Sequence, residues 1–426
     1  MQQIRYIHAA DLHLDAPFLG INKELGGSLS HHLHKATFTA LERLLRLCEE
    51  VRPDFLVLAG DIYNEEDNSI KAQLAISDLC RKLHSMGVRV FLVHGNHDPL
   101  NSRFNSINWP DNVTIFGTDM QVARVERDGE TIALVHGISH AQGKEARNLA
   151  RLFKRSADEN CFQLGLLHCA VEGQAGDRYA PCTVQDLVDS GLDAFALGHV
   201  HTRAVLSEQP FIAYPGNTQG LHINEGGERG CFVVTVTGQQ GSFSCNADFR
   251  PLGPIVFATH KVSIDGMEHV DVLDEQLFTE LGAIRSDAWP GCQAMIVRVV
   301  LHGATVLDKH LRSAAGQADL LERLSSLRNA NPGIWIKDLK VETTPPIDWE
   351  EYRKRDDLLG SALRMVQQLR ENPDRLQEFS EPLLQQLYGH SRLRQDLQRP
   401  DSREILSLLD DVERLCVEKL EDENVR

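Results

Sequence analysis

Several features that would settle a protein's class at once are missing from this chain. Although 42% of its 426 residues are hydrophobic, no stretch is long or apolar enough to span a bilayer, so no membrane role is expected. The nine cysteines sit singly, without a Cys-x-x-Cys pair, which argues against a disulfide framework and for reduced, buried thiols. Basic residues are scarce: 44 Lys and Arg face 61 Asp and Glu, a net charge of −17. Phosphate contacts need cations to displace counterions, so a protein that coats nucleic acid by itself is disfavoured. A nuclease is not, because bound metals or a partner can supply positive charge. There is no internal repeat and no low-complexity stretch. The segment Met1-Gln2-Gln3-Ile4-Arg5 runs straight into a strand pattern with no secretory apolar region, so a cytoplasmic protein is expected.

What is present is a set of five short segments that end in metal-binding residues. They are Asp11-Leu12-His13, Gly60-Asp61, Gly95-Asn96-His97-Asp98, Leu167-His168 and Gly198-His199-Val200-His201. Each follows an apolar, strand-like run, so all can converge on one rim of a sheet. Asp11, His13, Asp61, Asn96, His168, His199 and His201 then offer oxygen and imidazole ligands enough for two divalent cations. Two metals about 3.5–4 Å apart are the usual apparatus for cleaving phosphate esters, because they hold both nucleophile and leaving oxygens. Asp11/His13 and His199/His201 are i, i+2 pairs, which on an extended backbone point the same way, with Leu12 and Val200 facing the opposite side. Carboxylate, amide and imidazole without thiolate point to manganese, iron, zinc or magnesium rather than a closed structural zinc. Cys169, beside His168, is expected to face the core.

Strand and helix patterns alternate to about residue 250. Strands are expected at Ile4–Ala10, Phe55–Ala59, Val88–Val93, Val113–Phe116, Thr131–Gly137, Phe162–Leu167 and Ala194–Leu197. Helices are expected at His34–Val51, Ile70–Met86 and near Lys144–Lys154. After His201 the pattern is purely β, at Ala204–Leu206, Phe211–Tyr214, Cys231–Thr237 and Phe243–Phe249. The fold class is therefore α/β, a layered sandwich with a β-rich second half. Pro251-Leu252-Gly253-Pro254 closes this body. A smaller α/β unit follows, with strands near His260–Ile264, Ala294–Leu301 and Trp335–Val341 and helices near Asp271–Leu281 and Gln317–Arg328. Asp348 and Glu351 can form a capping box that opens a helical tail at Trp349. Three domains are expected: residues 1–250, 251–346 and 347–426.

With these residues in view, the first part of the chain resembles a calcineurin-like metallophosphoesterase of the SbcD/YhaO DNA-repair exonuclease branch. Ala9-Ala10-Asp11-Leu12-His13-Leu14-Asp15-Ala16-Pro17-Phe18 and Tyr214-Pro215-Gly216-Asn217-Thr218-Gln219-Gly220 resemble the YhaO type in particular. The resemblance implies an αββα metallophosphoesterase sandwich, a small α/β capping domain and a helical C-terminal region. It also implies a division of ligands: Asp11, His13 and His201 for one metal, Asn96, His168 and His199 for the other, and Asp61 as the bridge. His97 would stabilise the transition state or protonate the leaving oxygen, Asp98 would orient its ring, and the nucleophile would be a metal-activated water. Protein phosphatases of the superfamily carry Gly-Asp-x-x-Asp-Arg and Gly-Asn-His-Glu, from which Gly60-Asp61-Ile62-Tyr63-Asn64 and Asp98 depart toward the nuclease branch. Archaeal nucleases of the branch have a histidine where this chain has Asn64, which can hydrogen-bond a nucleotide but cannot transfer a proton. Asn217 stands where related nucleases have serine, and it is expected to shape the substrate site rather than react.

The expected function is thus a binuclear, most simply manganese-dependent, phosphodiesterase acting on DNA ends or single strands. Its expected partner is a coiled-coil SMC-like ATPase docked on residues 347–426, with a homodimer as the other use of those helices. The alternatives are a phosphodiesterase for a small cyclic or dinucleotide substrate, or a regulatory scaffold with vestigial catalysis. If DNA is the substrate, Lys261, Arg298 and Lys309 of the small domain should face the metal cleft. His31, His32 and His34 are either a solvated helix start or a rim contact with DNA phosphate.

Overall fold

The structure is a computed structural model that describes residues 2–21, 27–67, 69–101, 108–157, 160–173, 178–239, 241–327, 333–346, 348–388, 400 and 402–421. It divides into two compact units, Met1–Thr344 and Pro345–Arg426.

The first unit is built on period-two strands whose two faces are both apolar. In β1 (Gln2–Ala9), Ile4 and Tyr6 point one way while Ile7 and Ala9 point the other. The same split divides Phe55, Val57 and Ala59 from Leu56 and Leu58 in β2 (Phe55–Ala59), and Phe91 and Val93 from Val90 and Leu92 in β3 (Arg89–Val93). A strand with apolar residues on both faces must be covered on both. Helices α1 (Gly27–Val51) and α2 (Ile70–Ser85) cover one side through Leu41, Leu44, Ile76 and Leu83. A second sheet covers the other. Its members are β5 (Gln121–Arg127), β6 (Glu130–Ile138), β7 (Phe162–His168), β8 (Ala194–Gly198), β9 (Ala204–Glu208) and β10 (Phe211–Tyr214). Helix α3 (Val184–Val188) and a turn at Leu149–Leu152 pack on its outer face.

With β4 (Val113–Ile115), β11 (Gly230–Gln239) and β12 (Ser242–Pro251), the strand orders are β12-β11-β1-β2-β3-β4 and β5-β6-β7-β8-β10-β9. This is the expected αββα sandwich. Strands β1 to β4 run parallel, as do β6, β7, β8 and β10, so their carboxyl ends gather at one edge. Ligands of open α/β sheets bind at that edge, and the five candidate segments begin there. Cys169 is buried in the outer core of the second sheet, its Sγ 3.8 Å from that of Cys182.

Three differences from the sequence expectations have local causes. Residues near Lys144–Lys154 form no helix beyond the Leu149–Leu152 turn, because Glu145 pairs with Tyr179 as a β-bridge and its amide and carbonyl are spent on Arg178 and Ala180. Strand β5 escaped notice because it is an edge strand whose residues are mostly exposed, and the five-residue α3 is too short to show a period.

The small α/β unit is a parallel sheet of β13 (Ile255–Ser263), β14 (Ala294–Ala304) and β15 (Ile334–Thr344), with β14 central. Helices α4 (Val270–Asp287) and α6 (Ala314–Leu327), with the short α5 (Asp308–Arg312) between them, supply Leu273, Leu277, Leu320 and Leu324 to one face. Met295, Val297 and Val299 are core residues, as expected, while Arg328 lies outside the described residues. The other face, with Phe257, Ile296 and Trp335, packs on Leu29 and Ala36 of α1. Arg43 of α1 donates to the carbonyls of Leu252 and Gly291, at 2.8 and 2.7 Å, and lies over the Trp289 ring. His31, His32 and His34 sit in the opening turns of α1, and His32 meets the edge of Trp335.

The second unit is helical: α7 (Trp349–Lys354), α8 (Leu358–Glu371), α9 (Pro373–Tyr388) and α10 (Ser402–Glu421). Asp348 caps α7 by accepting from the amides of Glu350 and Glu351. Among the described residues no helix is long and apolar enough to cross a membrane.

Trp335→Ala removes the largest side chain between the small sheet and α1. It should lower unfolding stability by about 3–5 kcal/mol, read from urea-induced unfolding followed by circular dichroism.

Candidate metal centre

All seven candidate ligands meet at the carboxyl edge of the two sheets; His168 is the last residue of β7, but four of the others leave the extended backbone. Asp11, His13, Asp61 and His199 have φ of 50°, 41°, 50° and 103°. The expectation that the i, i+2 pairs lie on strands is thereby corrected: β1 and β8 end before these pairs, and Asp11, His13 and His199 occupy left-handed turns. Such conformations cost roughly 1–3 kcal/mol each and survive only where the surroundings over-determine them. Here they do. The amides of Asp11, His13 and Leu14 donate to the carbonyls of Gly60, Asp61 and Ile62 at 3.1, 3.1 and 2.9 Å, zipping the first two loops together. The His199 amide donates to the Asp11 carboxylate at 3.0 Å, and the His97 amide donates to Asp61 Oδ1 at 2.8 Å. Leu12 is buried under the helices and Val200 packs against the second outer core, as their alternation with the ligands implies.

Close approach fixes two glycines. A Cβ on Gly95 would lie 2.3 Å from Asp61 Oδ1, and one on Gly198 would lie 1.8 Å from the Ala59 carbonyl oxygen. Both positions tolerate only hydrogen.

The ligand atoms fall into overlapping groups. One atom each from Asp11, His13 and His201 lie within 4.8 Å of one another, and so do atoms from Asp11, Asp61 and His168. Asn96 Oδ1 lies 2.9 Å from His168 Nε2 and 3.1 Å from His199 Nδ1. Asp61 Oδ2 stands between two imidazoles, 3.3 Å from His168 Nε2 and 3.9 Å from His13 Nε2. Asp11, Asp61, His13 and His168 form a buried floor, His199 and His201 are half-buried, and His97 is exposed with its ring against that of His13 at 5.1 Å.

The hydrogen bonds around these rings test whether cations fit. His13 Nδ1 meets Asn64 Oδ1 at 2.7 Å, while Asn64 Nδ2 donates to Asp67, so His13 carries its proton on Nδ1. His201 Nδ1 meets a Glu225 carboxylate oxygen at 2.5 Å, so its proton is there too. The two Nε2 atoms, 3.1 Å apart, then point lone pair at lone pair. Neutral rings cannot hydrogen-bond in that arrangement; a cation or an extra proton must neutralise it. The donor set and this geometry fit a metal centre.

Protonation tells the same story. Burial opposes charging His168, yet the adjacent Asp61 carboxylate outweighs it and lifts the imidazole to about 9. Burial likewise opposes charging His201, but Glu225 and Asp11 raise it. Burial would raise Asp61, but His168 and His13 hold it well below the usual carboxylate range, whereas burial prevails at Asp11 and raises it. Burial raises Glu225 as well, but its bonds from His201 and the Leu221 amide hold it at about 2. Burial prevails at His13 and lowers it, and burial with the neighbouring His168 takes His199 down to about 3. Positive charge is therefore drawn to the His168–Asp61 and His201–Glu225 pairs rather than to every ring.

Three expected site residues are placed differently from their expected use. Asp98 is buried and accepts from the amides of Asp61, Ile62 and Gly95 at 3.2, 2.9 and 2.8 Å, and lies 3.5 Å from His94 Nδ1. Its bonds among the described residues clamp two ligand loops rather than orient the His97 ring. Asn64 spends both amide atoms on His13 and Asp67, and Asn217 is buried with Nδ2 donating to Glu225 at 3.0 Å. Arg298, expected to face DNA, is forked onto Asp338 at 2.6 and 2.8 Å, while Lys261 and Lys309 are exposed. Residues the sequence did not disclose are Glu225, Tyr179, whose ring packs on His199 at 4.9 Å, and Arg229, which donates to the His201 carbonyl. None belongs to a motif, and no sequence signal marks them.

Comparison with known proteins agrees with this geometry. A family model described as calcineurin-like phosphoesterase matches residues 4–203, and one described as metallophosphoesterase YhaO, middle domain, matches residues 257–344. The chain is 35% identical over 306 residues to the uncharacterized metallophosphoesterase YhaO of Bacillus subtilis (strain 168), covering 71% of this chain and 72% of that one. The chain therefore belongs to the calcineurin-like metallophosphoesterase family. Weaker similarity joins it to the DNA double-strand break repair protein Mre11 of Methanocaldococcus jannaschii, 25% identical over 230 residues, and of Methanosarcina acetivorans, 23% identical over 282 residues. The alignments cover 52% and 63% of this chain but only 58% and 42% of those proteins. Together these similarities agree with the SbcD/YhaO/Mre11 branch. Membership implies a metal-dependent phosphoester hydrolase with a binuclear centre.

Metal must displace the proton that His168 holds at neutral pH. Affinity for Mn2+ should therefore rise with pH up to about 9, because the proton on His168 must leave. Calorimetric titrations between pH 6 and 9 check this as roughly half-unit steps, and proton release at neutral pH should appear as a buffer-dependent heat.

Proposed function

We propose that this chain is a binuclear phosphodiesterase acting on DNA ends or single strands. The observation that carries the phosphodiester reading is the pair of facing Nε2 atoms of His13 and His201, 3.1 Å apart beside Asp61. The DNA reading draws on the weaker kinship to proteins named for DNA double-strand break repair. Asp11, His13 and His201 would hold one cation; Asn96, His168 and His199 would hold the other; Asp61 Oδ2 would serve both. Bound there, two divalent ions, Mn2+ by preference for this oxygen and imidazole set, supply an activated water and offset the negative charge that develops on phosphorus oxygens. The chain's own part is positional. The floor of Asp11, Asp61, His13 and His168 excludes solvent from one side of the centre, and His97 stands at its open side. From there its ring can deliver a proton to the departing oxygen, with its backbone anchored on Asp61.

A coiled-coil SMC-like ATPase is the proposed partner for the C-terminal helices. On α10, Leu408, Val412 and Leu415 recur at helical spacing and are exposed, as a helix-in-groove contact needs. The reading with a small cyclic or dinucleotide substrate draws on one observation, the neutralisation of Arg298 by Asp338, which removes a cation that DNA would use.

The test is an assay with Mn2+ and labelled single- and double-stranded DNA beside bis-p-nitrophenyl phosphate. Cleavage of both ester and DNA, abolished by a chelator, is the expected result. Hydrolysis of the ester with every DNA left intact would refute the DNA reading, and inertness toward all three would refute the enzyme. His97→Ala should lower turnover by about 100-fold or more while both metals stay bound; loss of metal would mean that its role is misassigned. Asp61→Asn should weaken both metal equivalents at once, and a variant that keeps both with full activity would exclude a bridging role.

A further inference from the structure

We infer that Glu225 is a positioning residue of the metal centre, holding the His201 ring so that Nε2 faces His13. The inference rests on the binuclear reading proposed above and names a residue that no motif marks.

Glu225 is only 6% exposed, and four groups share its carboxylate. Oε1 lies 2.5 Å from His201 Nδ1 and 3.2 Å from His222 Nε2. Oε2 accepts from Asn217 Nδ2 at 3.0 Å and from the Leu221 amide at 2.6 Å. A carboxylate oxygen is an acceptor only, so the neutral His201 ring carries its proton on Nδ1 and leaves a lone pair on Nε2 for a cation. Carboxylate bonds of this kind orient a ligating imidazole and raise its basicity.

The His201 backbone is held by the same segment: the Asn217 amide donates to its carbonyl at 3.2 Å, and so does the Arg229 guanidinium. At its other face the segment grips β13. Gln219 uses its Nε2 on the Ile255 carbonyl at 2.9 Å and its Oε1 on the Ile255 amide at 3.0 Å, and the Gly227 amide donates to the Phe257 carbonyl at 2.9 Å. One loop therefore fixes the orientation of a candidate ligand and the attachment of the small sheet.

Glu225→Gln tests the role. A glutamine amide would turn its NH2 either toward His201 and His222 or toward the two donors at Oε2, so it cannot satisfy both sides. In calorimetric titration of the full chain with Mn2+, one of two equivalents should weaken by about 10–100-fold while the other is unchanged. The thermal shift caused by Mn2+ should shrink correspondingly, with the metal-free protein keeping its secondary structure. In a His201→Ala background, Glu225→Gln should weaken metal binding no further, because its effect runs through that ring. Wild-type affinity for both equivalents in Glu225→Gln, or a full additional loss in the His201→Ala background, would overturn the inference. If the Gln variant does not fold, Glu225→Asp keeps the charge but shortens the reach; it should weaken the same single equivalent, and unaltered binding there would count equally against the inference. An unsubstituted chain that takes up no Mn2+ would instead overturn the binuclear reading on which this rests.

Discussion

Two imidazole nitrogens that face each other at 3.1 Å, each with its proton already committed elsewhere, set the terms for this structure. Such a contact is repulsive between neutral rings and is tolerable only around positive charge. Keeping it requires that both rings be unable to turn away. Asn64 prevents that for His13, and Glu225 does so for His201. The same logic extends to His168, whose Nδ1 is held by the Ala59 carbonyl at 2.9 Å while Nε2 looks toward Asp61. Each ring is oriented from behind by an oxygen acceptor, and the open nitrogens converge.

That arrangement is expensive locally. Four ligand residues sit at positive φ, which at roughly 1–3 kcal/mol each approaches the net stability of a whole domain. The sandwich offsets it. Two sheets buried on both faces bring five parallel strand ends to one edge, and a one-residue slip would turn Phe55, Val57 and Phe91 away from the inter-sheet core. Register is therefore tightly set, and loop positions inherit that precision. The buried Asp98 carboxylate converts it into loop-to-loop rigidity by accepting three amides from two different ligand segments.

Much of this was legible in the sequence, and for physical reasons. Ligands that directly follow apolar strands announce a site at a sheet edge, and the two-faced apolar runs of β2 and β3 announce burial on both sides. The capping carboxylate Asp348 marked the start of α7. Backbone handedness at Asp11 and His199 was not legible, because Asp and His enter left-handed turns more readily than most residues yet do so at few positions, and here tertiary bonds decide it. Nor was the bridge of Glu145 with Tyr179, which displaced a helix by long-range pairing. Glu225 was invisible because a carboxylate that acts through a histidine twenty-four residues away carries no spacing signature.

The fate of Asn64 and Asn217 bears on how the centre would choose its substrate. Both amides look in sequence like groups that could touch a nucleotide. Both are committed instead to fixing ligand rings, Asn64 directly on His13 and Asn217 through Glu225 on His201. Asn64, whose donor and acceptor are both matched, gains little by turning to a substrate, since any new bond breaks an old one of about 1 kcal/mol and frees a metal-facing ring. At Asn217 only Nδ2 is bonded, and the buried Oδ1 has no partner among the described residues. Recognition then falls to the rim: the exposed His97 and the half-buried His199 and His201, with the Tyr179 ring packed against His199. Among the described residues, these imidazole and phenol rings offer stacking faces at the rim. In a chain with a net charge of −17, two divalent cations bound at the centre would supply the local positive charge that an anionic phosphate needs.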